Sequence, residues 1–141
     1  RGDVRAVSAE DGILWVPHRS RSVPRAVEAY LKSAARDTLS SACDRYAAAL
    51  GRPFAALTLR DTRSRWGSCT TQGRLMFSWR LIMAPPDVLD YVAAHEVAHL
   101  AEMNHSPAFW AQVKALYPTH KTASAWLKEH GPALHRYRFR D

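Results

Sequence analysis

Apolar positions between residues 23 and 50 recur at three- and four-residue spacing, through Val27, Tyr30, Leu31, Ala34, Leu39, Ala42, Cys43, Tyr46 and Leu50. That period predicts one long amphipathic helix, opened at Ser22-Val23-Pro24 and stopped by Gly51 ahead of Pro53. Before it, short apolar runs at 4–7 and 13–16 flank Ala9-Glu10-Asp11-Gly12 and read as a hairpin turning at Asp11-Gly12. After it, residues 55–60 read as a strand, Thr70-Thr71-Gln72-Gly73 as a hairpin turn, and 74–81 as the strand that follows. A second helix starts at Pro85-Pro86-Asp87 and is expected to run from 86 to 103. A third covers 107–117, with Phe109, Trp110, Val113 and Leu116 inward, and a fourth covers 122–130, closed by Gly131-Pro132. The pattern predicts an α+β fold, a small mixed or antiparallel sheet with helices packed on it.

The helix over 86–103 carries the chemistry. His95, Glu96 and His99 form an H-E-x-x-H run, and His105 follows six positions after the second histidine. Residues four apart lie one turn above each other, so two imidazoles can close on one metal ion. Glu96 falls in an adjacent sector, where its carboxylate can reach an activated water instead of the ion, as a general base does. Val88, Tyr91, Val92, His99 and Glu102 lie within about 60° of His95 on the helical wheel. Leu89, Ala93, Val97 and Leu100 form a second apolar stripe on the far side, so the helix is expected to be buried on two sides. Asn104 can end it in a left-handed conformation, and Ser106-Pro107 reads as the cap and first turn of the next helix. The chain therefore turns sharply at His105, either as a third ligand leaving one tetrahedral position open or as a polar linker residue. The spacing between second and third histidine also occurs in H-E-x-x-H-x-x-G-x-x-H, but Glu102 stands where that glycine would be.

Composition narrows the class. A chain of 141 residues, 47% hydrophobic with five tryptophans, suits one domain over 1–141 with its own core. No stretch has the apolar length to span a bilayer, and no membrane partner is expected. Two cysteines exclude a disulfide framework, and Cys43 on the apolar side of its helix reads as a buried thiol; both favour a reducing cytoplasm. The formal charge of +7 permits nucleic acid or nucleotide partners without requiring them. A monomer is the simplest expectation.

The motifs together resemble a known family. R-x-R-W-G-S-C at 63–69, G-R-L-M-F-S-W-R-L-I-M-A-P-P at 73–86, Asp90-Tyr91-Val92, H-E-V-A-H-L at 95–100 and N-H-S-P-A-F-W at 104–110 are similar to the YgjP-like metal-dependent hydrolases. The likeness spans roughly residues 60–127. It implies a zincin-type metallopeptidase domain, with His95, His99 and His105 as zinc ligands and Glu96 as catalytic acid/base. It also marks 65–69 as a signature near the active site, and it implies that the chain is the C-terminal portion of a longer one. The same resemblance links the family to SprT-like proteases, which act on DNA-bound proteins.

The expected function is zinc-dependent cleavage of a peptide bond. A second donor beside the zinc would stabilise the oxyanion; Arg65, Tyr117 and His120 are candidates, with Arg65 first for its signature setting. Glu102 is a candidate for orienting an imidazole, Tyr91 reads as core packing, and Cys69 reads as a structural thiol. An extended substrate is expected to pair with an exposed sheet edge, either the strand at 74–79 or the segment 65–69. One rival is hydrolysis of a phosphoanhydride, as in a nucleotide pyrophosphatase, with Arg60, Arg63 and Arg65 on the phosphates. Another is a zinc-stabilised nucleic-acid-binding module stacking bases on Trp66, Trp79 and the aromatic-basic tail at 135–140; Glu96 argues against it, because a structural site has no use for that carboxylate.

Overall fold

The long helix predicted from the periodicity is α1 (Val23–Leu50), in a computed structural model that describes residues 8–10, 13–15 and 23–136. Its buried stripe is Ala35, Leu39, Ala42 and Cys43. Gly51 ends it with φ at 77°. There its N–H and that of Arg52 both reach the Ala47 carbonyl, at 2.9 and 3.1 Å. Side chains with a Cβ rarely adopt that backbone conformation, so glycine sets the stop. Ahead of α1, β1 (Ser8–Glu10) and β2 (Ile13–Trp15) pair antiparallel. The hairpin is therefore present, but Ala9 and Glu10, expected in its turn, belong to the strand. Val4 to Val7, Asp11-Gly12 and Val16 lie outside the described residues.

Three strands make the second sheet: β3 (Ala56–Arg60), β4 (Gly67–Cys69) and β5 (Arg74–Ser78), in the order β3-β5-β4. It is mixed, with β3 parallel and β4 antiparallel to β5. The turn at 70–73 forms as predicted, the Gly73 N–H donating to the Thr70 carbonyl at 3.0 Å. The strand expected to reach residue 81 breaks at Ser78. Its hydroxyl accepts the Arg80 N–H at 3.3 Å and opens a 3₁₀ turn over Trp79–Met83. The turn sinks Trp79 and Leu81 into the core and points Arg80 at Asp61, which takes two bonds from its guanidinium at 2.7 and 3.1 Å. Arg80 also donates to the Leu134 carbonyl at 3.1 Å, so one buried cation joins the loop after β3 to the last helix.

The central helix α2 (Pro86–Ala98) buries both of its apolar stripes. It packs on α1, β4, α3 (Pro107–Leu116) and α4 (His120–Arg136). The sequence expectation carried it to residue 103, with Asn104 as terminator. Instead His99 is the C-cap, and the N–H groups of His99, Leu100 and Ala101 bond three residues back, at 3.1, 2.9 and 3.1 Å. This tighter winding ends the α-helix early. The last helix departs the other way, running through Gly131-Pro132 to Arg136. Proline removes one backbone donor there, and tertiary contacts hold the final turn. Gly131 lies against the Trp66 indole, His135 stacks on that ring at 4.0 Å, and Arg80 grips Leu134. Asp90, on α2, is tied to α1 by Arg45 at 2.9 Å and by the Tyr46 hydroxyl. No helix among the described residues is long and apolar enough to cross a membrane.

Candidate metal centre

His95 lies in the last turn of α2 and His99 caps its C-terminus, and the tight turn after Ala98 swings the chain round to set His105 beside them. The Ser106 hydroxyl then accepts the Phe109 N–H at 3.3 Å and starts α3 directly behind His105. Ring centroids stand 5.4 Å apart for His95 and His99, 5.4 Å for His95 and His105, and 4.9 Å for His99 and His105. One nitrogen from each ring lies within 4.8 Å of the other two, a set that can hold a metal ion after small side-chain rotations.

Two of the rings, His95 and His99, are also in a form suited to ligation. Burial, helped by the neighbouring histidines, pushes His95 down to about 4, and burial lowers His99 as well. Both are therefore neutral at pH 7, as metal binding requires. His99 Nδ1 meets the Glu102 carbonyl at 3.0 Å, and since a carbonyl only accepts, Nδ1 carries the proton and Nε2 is left for an ion. Glu102 thus orients an imidazole through its main chain, not through its carboxylate. His95 Nδ1 lies 3.3 Å from the Tyr91 hydroxyl. Tyr91 is buried, as the sequence suggested, but its hydroxyl also fixes a ring of the site. The i to i+4 spacing from Tyr91 to His95 was the available signal.

Phe109 forms the floor, with centroids 5.0, 4.3 and 4.9 Å from His95, His99 and His105. Trp110, expected to face inward, is instead 37% exposed and flanks His95 and His105 at 5.6 and 5.9 Å. Inward packing of α3 falls to Phe109 and Val113. His120 stacks on the outer side of Trp110 at 5.7 Å. Tyr117 donates to the Asp87 carbonyl at 2.9 Å. That hydroxyl is engaged away from the histidines, which weakens it as an oxyanion donor.

Glu96 is 6% exposed, and burial raises its carboxyl to about 7, opposed by the positive charge of Arg65. A cation among the histidines acts in the same direction as Arg65. Arg65 itself is exposed on the loop before β4, where its carbonyl accepts the Thr62 hydroxyl at 2.6 Å. Gly67 accounts for part of the signature at 65–69. A Cβ at this position would stand 2.8 Å from Glu96 Cγ and 3.1 Å from the Met76 carbonyl oxygen, so only hydrogen fits between β4 and the carboxylate. Gly67→Ala is accordingly expected to lower turnover about ten- to hundred-fold by displacing Glu96, with metal content unchanged; wild-type turnover in a folded Gly67→Ala protein would contradict this.

β4, the α2 histidines, Glu96, Met103 and His105 line an open cleft of about 260 Å³. Cys69 lies in it, but burial and the nearby Glu96 push its thiol up to about 11, and Sγ contacts the Thr70 carbonyl at 3.4 Å. It is a poor nucleophile. Glu96 is the one carboxylate lining this cleft, which offers no carboxylate cluster for a magnesium-phosphate site. Of the two tryptophans considered for base stacking, Trp79 is 2% exposed and offers no platform, and Trp66 has one face taken by His135.

A family described as YgjP-like, metallopeptidase domain, matches residues 7–130. Among solved structures, the metallopeptidase zymogen of Pyrococcus abyssi abylysin superposes with a TM-score of 0.58 at 17% identity, covering 64% of this chain and 93% of that one. That likeness is one of fold. No curated protein sequence matches the chain significantly.

Proposed function

This chain belongs to the YgjP-like metallopeptidase family, and from that premise we propose that its metal is zinc, held by His95, His99 and His105, with Glu96 as the catalytic acid/base on a peptide or protein substrate. A metallopeptidase-like hydrolase with a metal ion follows from the family; the ion's identity and the residue roles are proposed. The observation that carries it is one cleft in which three imidazoles converge beside a buried carboxylate.

The chemistry supplied by bound zinc is Lewis acidity, toward both the scissile carbonyl and the attacking water. The chain does the rest. Glu96 takes the water proton on its carboxylate and passes it to the leaving amine. Arg65, whose charge is felt at Glu96, is the proposed second donor to the oxyanion. Tyr91 and the Glu102 carbonyl hold two of the rings in register.

Substrate alignment falls to β4. β5 is paired on both sides, so of the two segments expected to offer an edge only β4 remains. Trp66 and Thr70 bond to β5 at 2.9 and 3.0 Å. By antiparallel alternation, the main-chain N–H and C=O groups of Gly67 and Cys69 point to the open side, along the cleft. Residues 1–141 are proposed to form one catalytic domain. A cytoplasmic site of action is supported by two cysteines that remain free thiols.

Zinc-loaded protein is expected to cleave members of a random peptide library, to lose that activity on chelation and to recover it when zinc is returned. A loaded protein that cleaves no peptide would overturn the assignment.

A further inference from the structure

The cleft continues past Cys69. The turn at 70–73, the start of the segment after Gly51 and the chain beyond α2 enclose a second pocket of about 280 Å³, which shares His99 and Met103 with the metal cleft. Thr70, Thr71 and Gln72 make one wall polar, and Leu100 and Met103 make the other apolar. Arg52 lines it, and no aspartate or glutamate does. The Arg52 backbone is anchored to the end of α1 through the Ala47 carbonyl, at 3.1 Å. Among the described residues its guanidinium enters no ion pair. Glu102 lies nearby in sequence, but its carboxylate is not part of the wall.

We propose that this pocket is a specificity subsite of the hydrolase, taking an acidic side chain of the substrate on the amino-terminal side of the scissile bond, with Arg52 as its partner. The inference rests on the peptidase reading above. Its direction follows from β4. A peptide pairing antiparallel with the open groups of Gly67 and Cys69 runs toward its own N-terminus as β4 runs toward Thr70. The residue beside Glu96 is then at the reacting bond, and residues before that bond reach the pocket beyond Cys69. Substrate side chains alternate about the added strand, so one of them is directed between the turn and Met103. An arginine fork with no internal carboxylate selects a carboxylate with two parallel bonds. The formal charge of +7 draws acidic chains to the surface before they dock.

Two measurements test this together. Zinc-loaded wild type is assayed on a positional peptide library, and zinc-loaded Glu96→Gln protein is titrated with fluorescent peptides that carry Glu or Gln at the favoured position. A preference of about ten-fold for Glu or Asp over Gln or Asn is expected in both cleavage and binding, the scale of one charge-assisted contact near water. Arg52→Gln is expected to level the preference and Arg52→Glu to turn it toward Lys and Arg. Arg36→Glu makes the same charge change on the face beside β3, across the sheet from β4, and is expected to leave the preference intact. Cleavage with no acidic preference, or a preference that survives Arg52→Glu, overturns the subsite and leaves the peptidase reading standing. If no peptide is cleaved, the peptidase reading fails by itself, and equal binding of the Glu and Gln peptides then overturns the subsite as well.

Discussion

Replacing Glu96 with Gln is expected to cut peptide hydrolysis by about a hundred- to ten-thousand-fold, the range of a lost general acid–base group, while metal content stays at the wild-type level. The amide keeps the shape of the carboxylate, so it still fits against Gly67, where a Cβ would already meet Glu96 Cγ at 2.8 Å. What it loses is the ability to take a proton from water and return it to an amine. Peptide affinity is expected to persist, because the groups proposed to bind the chain belong to β4 and the pocket beyond it. Metal analysis beside single-turnover kinetics separates these effects. A Glu96→Gln protein that turns over at the wild-type rate would remove Glu96 from the mechanism.

His105→Ala is expected to weaken metal binding by more than the roughly ten- to hundred-fold that loss of a ligand's supporting partner costs. His95 and His99 are carried by the last turn and the C-cap of one helix, but His105 is exposed and comes from the turn ahead of α3. Its removal leaves the fold's core untouched and takes away one of three converging nitrogens. Tyr91→Phe supplies the scale, since it removes only the hydroxyl 3.3 Å from His95 Nδ1 and is expected to stay within the ten- to hundred-fold range. Competition with a chromogenic chelator ranks the two variants. Full occupancy of dialysed His105→Ala protein would exclude His105 from the ligand set.

Much of the site could be read in one dimension because its parts are local. The histidines of H-E-x-x-H lie four apart, and that spacing places them together on any α-helix. Pro86 and Ser106-Pro107 mark helix starts, and Gly51 and Gly73 mark reversals, through backbone preferences of single residues. At two of the boundaries that differ from the sequence reading, distant contacts outweigh such preferences. Gly131-Pro132 has the pattern of a helix stop, yet α4 passes through it because Trp66, His135 and Arg80 hold the following turn. Residues 79–81 continue the apolar–polar alternation of a strand, yet Ser78 captures the Arg80 N–H and Arg80 captures Asp61.

Sequence alone placed the four helices, though not the far ends of α2 and α4, together with the turns and the set of chemically able side chains, since these depend on residues within about one helical turn of each other. Tertiary structure decided what those side chains face. It set Gly67 against Glu96, gave His95 the Tyr91 hydroxyl and His99 the Glu102 carbonyl, and turned Trp110 outward to the rim. It also left β4, not β5, with the open edge. The reason is physical: the order of strands in a sheet and the approach of a strand to a helix are fixed by burial of the whole core, and no local window of residues contains that information.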